Sequence, residues 1–140
     1  TDPRMTRFWI TLQQGVDFVL KNFTRMHGGE IFVPRIPSVR VIDLAEALAP
    51  GLRHEIIGIR PGEKIHEVMC PKESSHLTLE FSDHFVLKPS IQFSNLVDYS
   101  VNRLGEEGTM VEEGFEYSSG TNPHFLTVEE IASLNDLADA

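Results

Sequence analysis

The segment that decides the fold class is HEIIGIRPGEKIHEVM, residues 54–69 of a chain of 140 residues. Its first six residues are rich in isoleucine, which favours extended backbone and predicts a short strand over 54–59. Pro61 and Gly62 then predict a turn. With the elements that precede it, this strand completes the order strand, helix, strand, helix, strand, and that alternation predicts an α/β fold.

The elements before this segment follow from periodicity and from residues that break helices and strands. Residues 6–10 favour a short extended entry. Apolar residues at spacings of three and four predict a helix over 12–26, and 30–34 reads as a strand that ends at proline. Helical spacing predicts a second helix over 41–50. The first helix should bury one apolar stripe, which consists of Leu12, Val16, Val19, Phe23 and Met26.

Beyond residue 70 the pattern is less regular. The segments HLTLEF (76–81) and HFVLKP (84–89) flank a short polar turn and predict a hairpin. Three glycines and four glutamates over 105–114 predict a solvated loop. Thr127 and Glu130 have the spacing of a capping box, which predicts a helix at the end of the chain.

Composition excludes several classes of function. The formal charge is −9, from 21 acids against 12 lysines and arginines, so nucleic acid is not the expected partner, whereas a small phosphorylated ligand remains possible. Cys70 is the one cysteine, which fits a reducing compartment. No apolar run has the length of a membrane span, and we expect a soluble, cytoplasmic protein without a membrane partner.

A search for a catalytic constellation finds none. There is no G-x-G-x-x-G motif, and neither Tyr99 nor Tyr117 has a lysine four positions later. The six histidines lack i, i+4 pairing, so no metal site is predicted. Cys70 is interpreted as a small core residue, and the adjacent glutamate pairs as solvated charges. The sequence therefore assigns no catalytic, cofactor-binding or metal-binding residue to this chain.

Arginine is the remaining candidate for ligand binding. Arg7 precedes an aromatic segment, and Arg60 follows the isoleucine-rich strand, with Glu63 three residues later. A guanidinium on a rigid element can clamp a diphosphate with two parallel hydrogen bonds. The alternative is a surface Arg–Glu pair of little energetic value. The residues alone leave both readings open.

Five segments carry a resemblance that covers almost the whole chain. They are TDPRMTRFWIT, MHGGEIFVPRIPS, LAEALAP, IIGIRPGEKIHEVM and FEYSSGTN. These resemble the carboxy-terminal part of inverting UDP-N-acetylglucosamine 4,6-dehydratases, extended short-chain dehydrogenase/reductases that supply nucleotide sugars for pseudaminic acid and capsule synthesis. The resemblance implies oxidation at C4 of the sugar, loss of water across C5 and C6, and hydride return at C6 with inversion at C5.

The resemblance also implies which residues belong to the binding site. In that family an amino-terminal Rossmann domain holds NADP and the catalytic residues, and the carboxy-terminal part closes over the UDP-sugar. Arg7 and the Arg60/Glu63 pair match positions that contact the diphosphate and ribose, and Arg4 and Met5 match a loop beside the nucleotide. Lys64 is expected to lie next to these residues without contacting the ligand itself. The stretch that holds Tyr117, Ser118, Ser119 and Asn122 matches the family without an assignable role, and packing is its interpretation.

The expected fold is therefore the C-terminal substrate-binding portion of such an enzyme, a small mixed sheet with helices and without the main Rossmann domain. We expect residues 1–140 to be a single substrate domain and a fragment of a longer chain. The apolar surface that such a part exposes predicts a homo-oligomer that buries the region of Phe8, Trp9, Phe18 and Phe23. The alternative function is a stand-alone, non-catalytic module that acts by oligomerising or by binding a partner.

Overall fold

A computed structural model describes residues 2–91 and 97–138 and shows a mixed α/β chain. The strands are β1 Thr6–Phe8, β2 Ile31–Pro34, β3 Ser38–Arg40, β4 Val68–Cys70, β5 Thr78–Glu80, β6 His84–Leu87, β7 Thr109–Met110 and β8 Tyr117–Ser118. The helices are α1 Leu12–Arg25, α2 Val41–Leu48 and α3 Val128–Ala138, with a 3₁₀ helix over Lys72–Leu77. The predicted α/β class is confirmed, and the strands lie in small sheets, in which β1 pairs with β3, β2 with β6, and β5 with β6 and β7, all antiparallel.

The chain divides into two compact units, and the expectation of a single substrate domain stays a prediction. The first unit consists of Thr1–Leu12, Ile36–Val68 and Ser118–Ala140. The second unit consists of Gln13–Arg35 and Met69–Tyr117.

The first unit is built on the antiparallel pair β1 and β3, in which Arg7 lies opposite Val39. Its core is a cluster of Val39, Leu126 and Ile131, and both Val39 and Ile131 are fully buried. Trp9 packs against this cluster together with side chains of α2 and α3. The core therefore holds β1 in place, and β1 carries the candidate binding residue Arg7.

The second unit contains a four-stranded antiparallel sheet with the order β2-β6-β5-β7. The strands β5 and β6 form the predicted hairpin, closed by a hydrogen bond from the backbone N–H of Phe81 to the carbonyl of His84 at 2.9 Å. Leu79, Phe81 and Val86 form the buried cluster, which Phe32 and Tyr99 cover.

Several local predictions are confirmed. Both early helices lie where periodicity places them, and β2 ends at Pro34. The capping box at α3 is present, because the Thr127 N–H donates to Glu130 Oε2 at 2.8 Å and the Glu130 N–H donates to Thr127 Oγ1 at 3.3 Å. These features depend on residues close together in sequence, which explains why a local pattern predicts them.

The predicted strand over 54–59 is wrong, because these residues lie outside every helix and strand of the described chain. Ile56 and Ile57 are 52% and 64% exposed, so they do not anchor the turn that follows. A strand exists only when a neighbour accepts its backbone hydrogen bonds. A sequence rich in isoleucine favours extended backbone but does not supply that neighbour.

The apolar stripe of α1 was predicted to be buried and lies mostly at the surface instead. Leu12 is 86% exposed and Phe23 is 63% exposed, with Val16 and Val19 also exposed. Periodicity identified the stripe correctly, but it cannot show whether another segment covers it. In the described part of the chain, no helix is both long and apolar enough to cross a bilayer.

Candidate functional site

Arg60 and Glu63 close a tight turn in the first unit. The backbone N–H and Nε of Arg60 donate to the two carboxylate oxygens of Glu63, each at 2.8 Å, and the Glu63 N–H donates back to the Arg60 carbonyl at 3.1 Å. Gly62 has a φ of 85°, a conformation that a side chain would strain. The turn predicted at Pro61 and Gly62 therefore brings the Glu63 carboxylate into hydrogen-bond contact with Arg60, three residues before it.

The Arg60–Glu63 pair faces water. Arg60 Nη2 lies 2.6 Å from Glu63 Oε1, and the arginine side chain is 73% exposed while that of the glutamate is 21% exposed. The hydrogen bond from Arg60 lowers the pKa of Glu63, and the same bond raises the pKa of Arg60. Both groups are thus charged at neutral pH, and the guanidinium is accessible to an anionic ligand.

The Arg7 guanidinium is hydrogen-bonded to the backbone of the loop that follows this turn. Its Nη1 donates to the Thr6 and Ile65 carbonyls at 2.6 and 3.2 Å, and its Nη2 donates to the Lys64 carbonyl at 3.0 Å. Its Nε lies 3.4 Å from a carboxylate oxygen of Glu67. The structure therefore brings Arg7 together with the loop that carries Arg60, and in this arrangement Arg7 fastens that loop.

The other two predicted contacts, Arg4 and Met5, lie just before β1. Arg4 forms an exposed ion pair with Asp2 at 2.9 Å, and its hydrogen bond lowers the pKa of Asp2 to about 2. Met5 is buried to 4% exposure, and its carbonyl accepts a hydrogen bond from the Val41 N–H at 3.0 Å. Arg4 is thus accessible to a ligand, whereas the side chain of Met5 is part of the core.

A polar cluster around the buried hydroxyls of Thr6 and Ser119 joins β1, the same loop and the segment after β8. Thr6 Oγ1 lies 2.8 Å from His66 Nδ1 and 2.7 Å from Ser119 Oγ. Ser119 is fully buried, its Oγ accepts the Glu67 N–H at 2.9 Å, and its own N–H donates to the Glu67 carbonyl at 2.8 Å. Gly120 lies under the imidazole, since a Cβ there would come within 2.6 Å of the His66 ring.

This cluster explains much of the stretch that the sequence left without a role. Ser119 fastens the loop, and Asn122 Nδ2 donates to the Ile36 carbonyl at 2.8 Å and to Ser38 Oγ at 3.0 Å. The hydroxyl of Ser118 accepts the Gly120 N–H at 3.3 Å. Sequence reasoning did not single out His66 as part of this site, and the sequence signal was its place on the Arg60 loop, three residues after Glu63.

Cys70 is fully buried, and burial raises the pKa of its thiol to about 12. Its interpretation as a small core residue is confirmed. Across residues 2–91 and 97–138, no group of three or more His, Cys, Asp or Glu side chains is placed to hold a metal ion.

The second unit holds a different cluster, centred on Arg25. The Arg25 side chain has no exposed surface, and it donates to Asp83 from Nη2 at 2.9 Å and to Glu106 from Nε at 2.7 Å. Lys21 and His84 also bind Asp83. The interpretation of Glu106 as a solvated charge is wrong, because it pairs with this buried arginine across 81 residues of sequence.

A family model described as "Polysaccharide biosynthesis protein" matches residues 1–89. The chain belongs to this family. Its relatives include two "UDP-N-acetylglucosamine 4,6-dehydratase (inverting)" proteins of Campylobacter jejuni, 56% and 54% identical over 96% of this chain and 40% of each relative. A "UDP-glucose 4-epimerase" of Rickettsia massiliae is 33% identical over 96% of this chain and 39% of its own length.

A solved structure, "X-ray structure of Pen from Bacillus thuringiensis", supports the fold. It matches with a TM-score of 0.74 over 99% of this chain and 41% of its own, at 24% identity. The resemblance to inverting UDP-N-acetylglucosamine 4,6-dehydratases is confirmed, and the chain spans about 40% of the length of those relatives. Membership of a family of nucleotide-sugar enzymes follows from these matches.

Proposed function

We propose that this chain is the UDP-sugar-binding portion of a UDP-N-acetylglucosamine 4,6-dehydratase-like enzyme of surface polysaccharide or pseudaminic acid biosynthesis. The identity of 56% to a dehydratase over 96% of the chain supports the family, and the exposed Arg60–Glu63 turn is the observation that carries the binding role. We include a cytoplasmic location in the proposal, supported by the single, buried cysteine.

The geometry suggests how the turn would bind a nucleotide. Arg60 is held by one carboxylate and faces water, so a diphosphate can replace Glu63 as the partner of the guanidinium at little cost. The released carboxylate of Glu63 then accepts hydrogen bonds from the ribose hydroxyls. Arg4 adds positive charge near the start of β1, and Met5 contributes backbone and packing.

Arg7 has a double role in this proposal. Its hydrogen bonds to the carbonyls of Lys64 and Ile65 hold the loop against β1, which keeps the Arg60 turn at one position. Its partly exposed guanidinium also adds positive potential for a diphosphate. Preorganising the loop lowers the entropy that ligand binding would otherwise cost.

The chemistry of dehydration belongs to other parts of the proposed enzyme. In the dehydratases that this chain resembles, NADP accepts and returns a hydride in a Rossmann domain. We place that step, and the groups that remove water, outside residues 1–140. Within this chain the proposed work is to bind and orient UDP-N-acetylglucosamine or a similar UDP-sugar.

Calorimetric titration with UDP tests the binding role. Wild type should bind UDP, and Arg60→Ala should weaken binding by about tenfold, because it removes a charge-assisted bidentate contact. Arg53→Ala is the matched control, since Arg53 is an exposed arginine of the same unit that forms no described ion pair. No heat with wild type at millimolar UDP, or equal losses for both variants, would count against the proposal.

A second candidate function is a non-catalytic module that oligomerises. The exposed stripe of α1, with Leu12, Val19 and Phe23 between 54% and 86% exposed, supports a homo-oligomer that covers it. Phe18 is partly buried beside the ring of His84, whereas Trp9 packs on the core of the first unit. Of the aromatic residues expected in the contact, Phe23 is therefore the most available.

Light scattering and sedimentation test this candidate. Wild type should form an oligomer that Val19→Glu together with Phe23→Glu dissociates, because burying two carboxylates in an apolar contact is costly. Leu104→Glu, at a residue 54% exposed outside α1, should leave the oligomer intact. A monodisperse wild-type monomer would exclude self-association under those conditions.

A further inference from the structure

We propose that His66 is a further ligand-binding residue, which donates a hydrogen bond from Nε2 to a phosphate oxygen of the nucleotide. The inference rests on the proposed function, because it names a contact in the same site. Its evidence is separate, and comes from how the structure holds the imidazole.

The ring of His66 is held along one edge. Nδ1 lies 2.8 Å from Thr6 Oγ1, and Thr6 is itself buried, with 6% of its surface exposed. The ring atoms Cγ, Nδ1 and Cε1 lie against Gly120, where any side chain would collide with them. Because the two nitrogens of an imidazole point in divergent directions, Nε2 points away from Thr6. His66 is exposed, and no described residue binds Nε2.

The hydroxyl groups of Thr6 and Ser119 determine which nitrogen of the neutral His66 ring carries the proton. Ser119 Oγ accepts the Glu67 N–H, so its proton is free to go to Thr6 Oγ1 at 2.7 Å. The Thr6 hydroxyl then donates to His66 Nδ1 at 2.8 Å. The opposite direction would end on a bond of 3.3 Å from Ser119 Oγ to the Thr6 carbonyl. The shorter set of bonds places the proton of the neutral imidazole on Nε2, which makes this atom a donor.

The charges of the loop favour an anionic acceptor. Arg60 is paired with Glu63, and Arg7 is paired with Glu67. Lys64, two residues before His66, has no described carboxylate partner. Together with Arg7 of β1, the charged side chains of residues 60–67 therefore leave one unpaired positive charge, that of Lys64, close in sequence to a donor that points outward. A phosphate oxygen matches both features better than a neutral hydroxyl does.

The loop is also rigid where His66 lies. The Thr6 N–H donates to the Ile65 carbonyl at 2.9 Å, and Glu67 exchanges two hydrogen bonds with Ser119. The residues on both sides of His66 are thus fastened to buried groups. A donor held in this way loses little entropy when it binds a ligand.

Two substitutions separate binding from a purely structural role. Asn at position 66 places an amide oxygen near the site of Nδ1, so His66→Asn keeps the bond from Thr6 and removes the outer donor. Gln places an amide N–H near the site of Nε2, so His66→Gln keeps the outer donor and loses the inner bond. His54→Asn is the matched control, at an exposed histidine of the same unit.

The test is calorimetric titration of the four proteins with UDP and with uridine. His66→Asn should weaken UDP binding by about tenfold and leave uridine binding unchanged, because only UDP carries phosphate. His66→Gln and His54→Asn should bind UDP like wild type. Two-bond ¹H–¹⁵N spectra of wild type should show the proton on Nε2.

The outcomes distinguish the two proposals. If wild type does not bind UDP, the proposed function fails, and the role of His66 fails with it. If wild type binds UDP and His66→Asn binds it equally well, only the role of His66 is overturned. It is also overturned if His66→Gln loses affinity while His66→Asn keeps it, or if the losses with UDP and with uridine are equal.

Discussion

Arg25 and Arg60 are both paired with carboxylates, yet their surroundings differ. The Arg25 side chain is fully buried and is held by Asp83 and Glu106, whereas Arg60 is 73% exposed and is held by Glu63 alone. Water competes for the exposed pair and lowers its net contribution, while the buried arginine depends on both of its partners. The comparison shows that ion pairs of the same chemistry can stabilise the fold in one place and leave a cation available to a ligand in another.

The largest effect is expected at the buried arginine. Arg25→Met should lower the free energy of unfolding by about 3 kcal/mol, because it removes the shared partner of two carboxylates. Urea unfolding measures the change. Arg35→Met is the matched control, since Arg35 pairs with Glu80 in the same unit but is 40% exposed, and it should cost less than about 1 kcal/mol. Equal losses for the two variants would contradict the distinction between buried and exposed pairs.

Acid should weaken the second unit in two steps. Burial lowers the pKa of His84 below its ordinary value of 6.5, so the unfolded chain binds more protons as the pH falls below 6.5. Burial opposes the charged form of Asp83, but hydrogen bonds from His84, Arg25 and Lys21 more than offset this and hold its pKa far below 3.8. The hydrogen bond from Arg25 likewise lowers the pKa of Glu106 from 4.5.

Each of these shifts gives stability that is present above the ordinary pKa and is lost as the pH falls. The free energy of unfolding should therefore decrease from pH 6.5 downward, and more steeply below about pH 4.5. Unfolding in urea at a series of pH values measures the profile. His84→Phe should remove the first step and keep the second. A flat wild-type profile from pH 6.5 to pH 3 would contradict the assignment.

Replacing Arg7 should have an effect on stability between those of replacing Arg25 and Arg60. Its side chain is 27% exposed and donates to three backbone carbonyls, so Arg7→Met should lower the free energy of unfolding by about 1–2 kcal/mol. Hydrogen exchange should show faster opening of the amide of Thr6, which bonds to the Ile65 carbonyl. Unchanged exchange at that amide would mean that Arg7 does not fasten the loop.

The smallest change in stability is expected at the exposed pair. Arg60→Ala should leave the urea midpoint within experimental error of wild type, because water replaces the Arg60 guanidinium as the partner of Glu63. The same variant should bind UDP weakly. A clear loss of stability in Arg60→Ala would place Arg60 with Arg25 among the structural arginines.

Local patterns allowed a good part of the fold to be predicted. The helices near 12–26 and 41–50, the hairpin of β5 and β6 and the capping box of Thr127 and Glu130 all depend on neighbours in sequence. The strand expected over 54–59 failed because pairing requires a partner that local sequence does not name.

The candidate site divides in the same way. The Arg60–Glu63 turn could be predicted from the sequence, because its partners are three residues apart and Gly62 permits the turn. The sequence did not predict the cluster of Thr6, His66 and Ser119, since Thr6 lies 60 residues from His66 and 113 residues from Ser119. No periodicity relates positions so far apart.

The amino-acid sequence by itself determined the family of this chain, its α/β class, its local turns and caps, and the identity of the exposed arginine pair. Tertiary structure alone decided that Arg7 holds a loop, that the buried Arg25 pairs with Glu106, and that His66 faces outward from Thr6 and Ser119. The physical reason is burial: hydrogen bonds and charges gain their strength and direction from groups that only folding brings together.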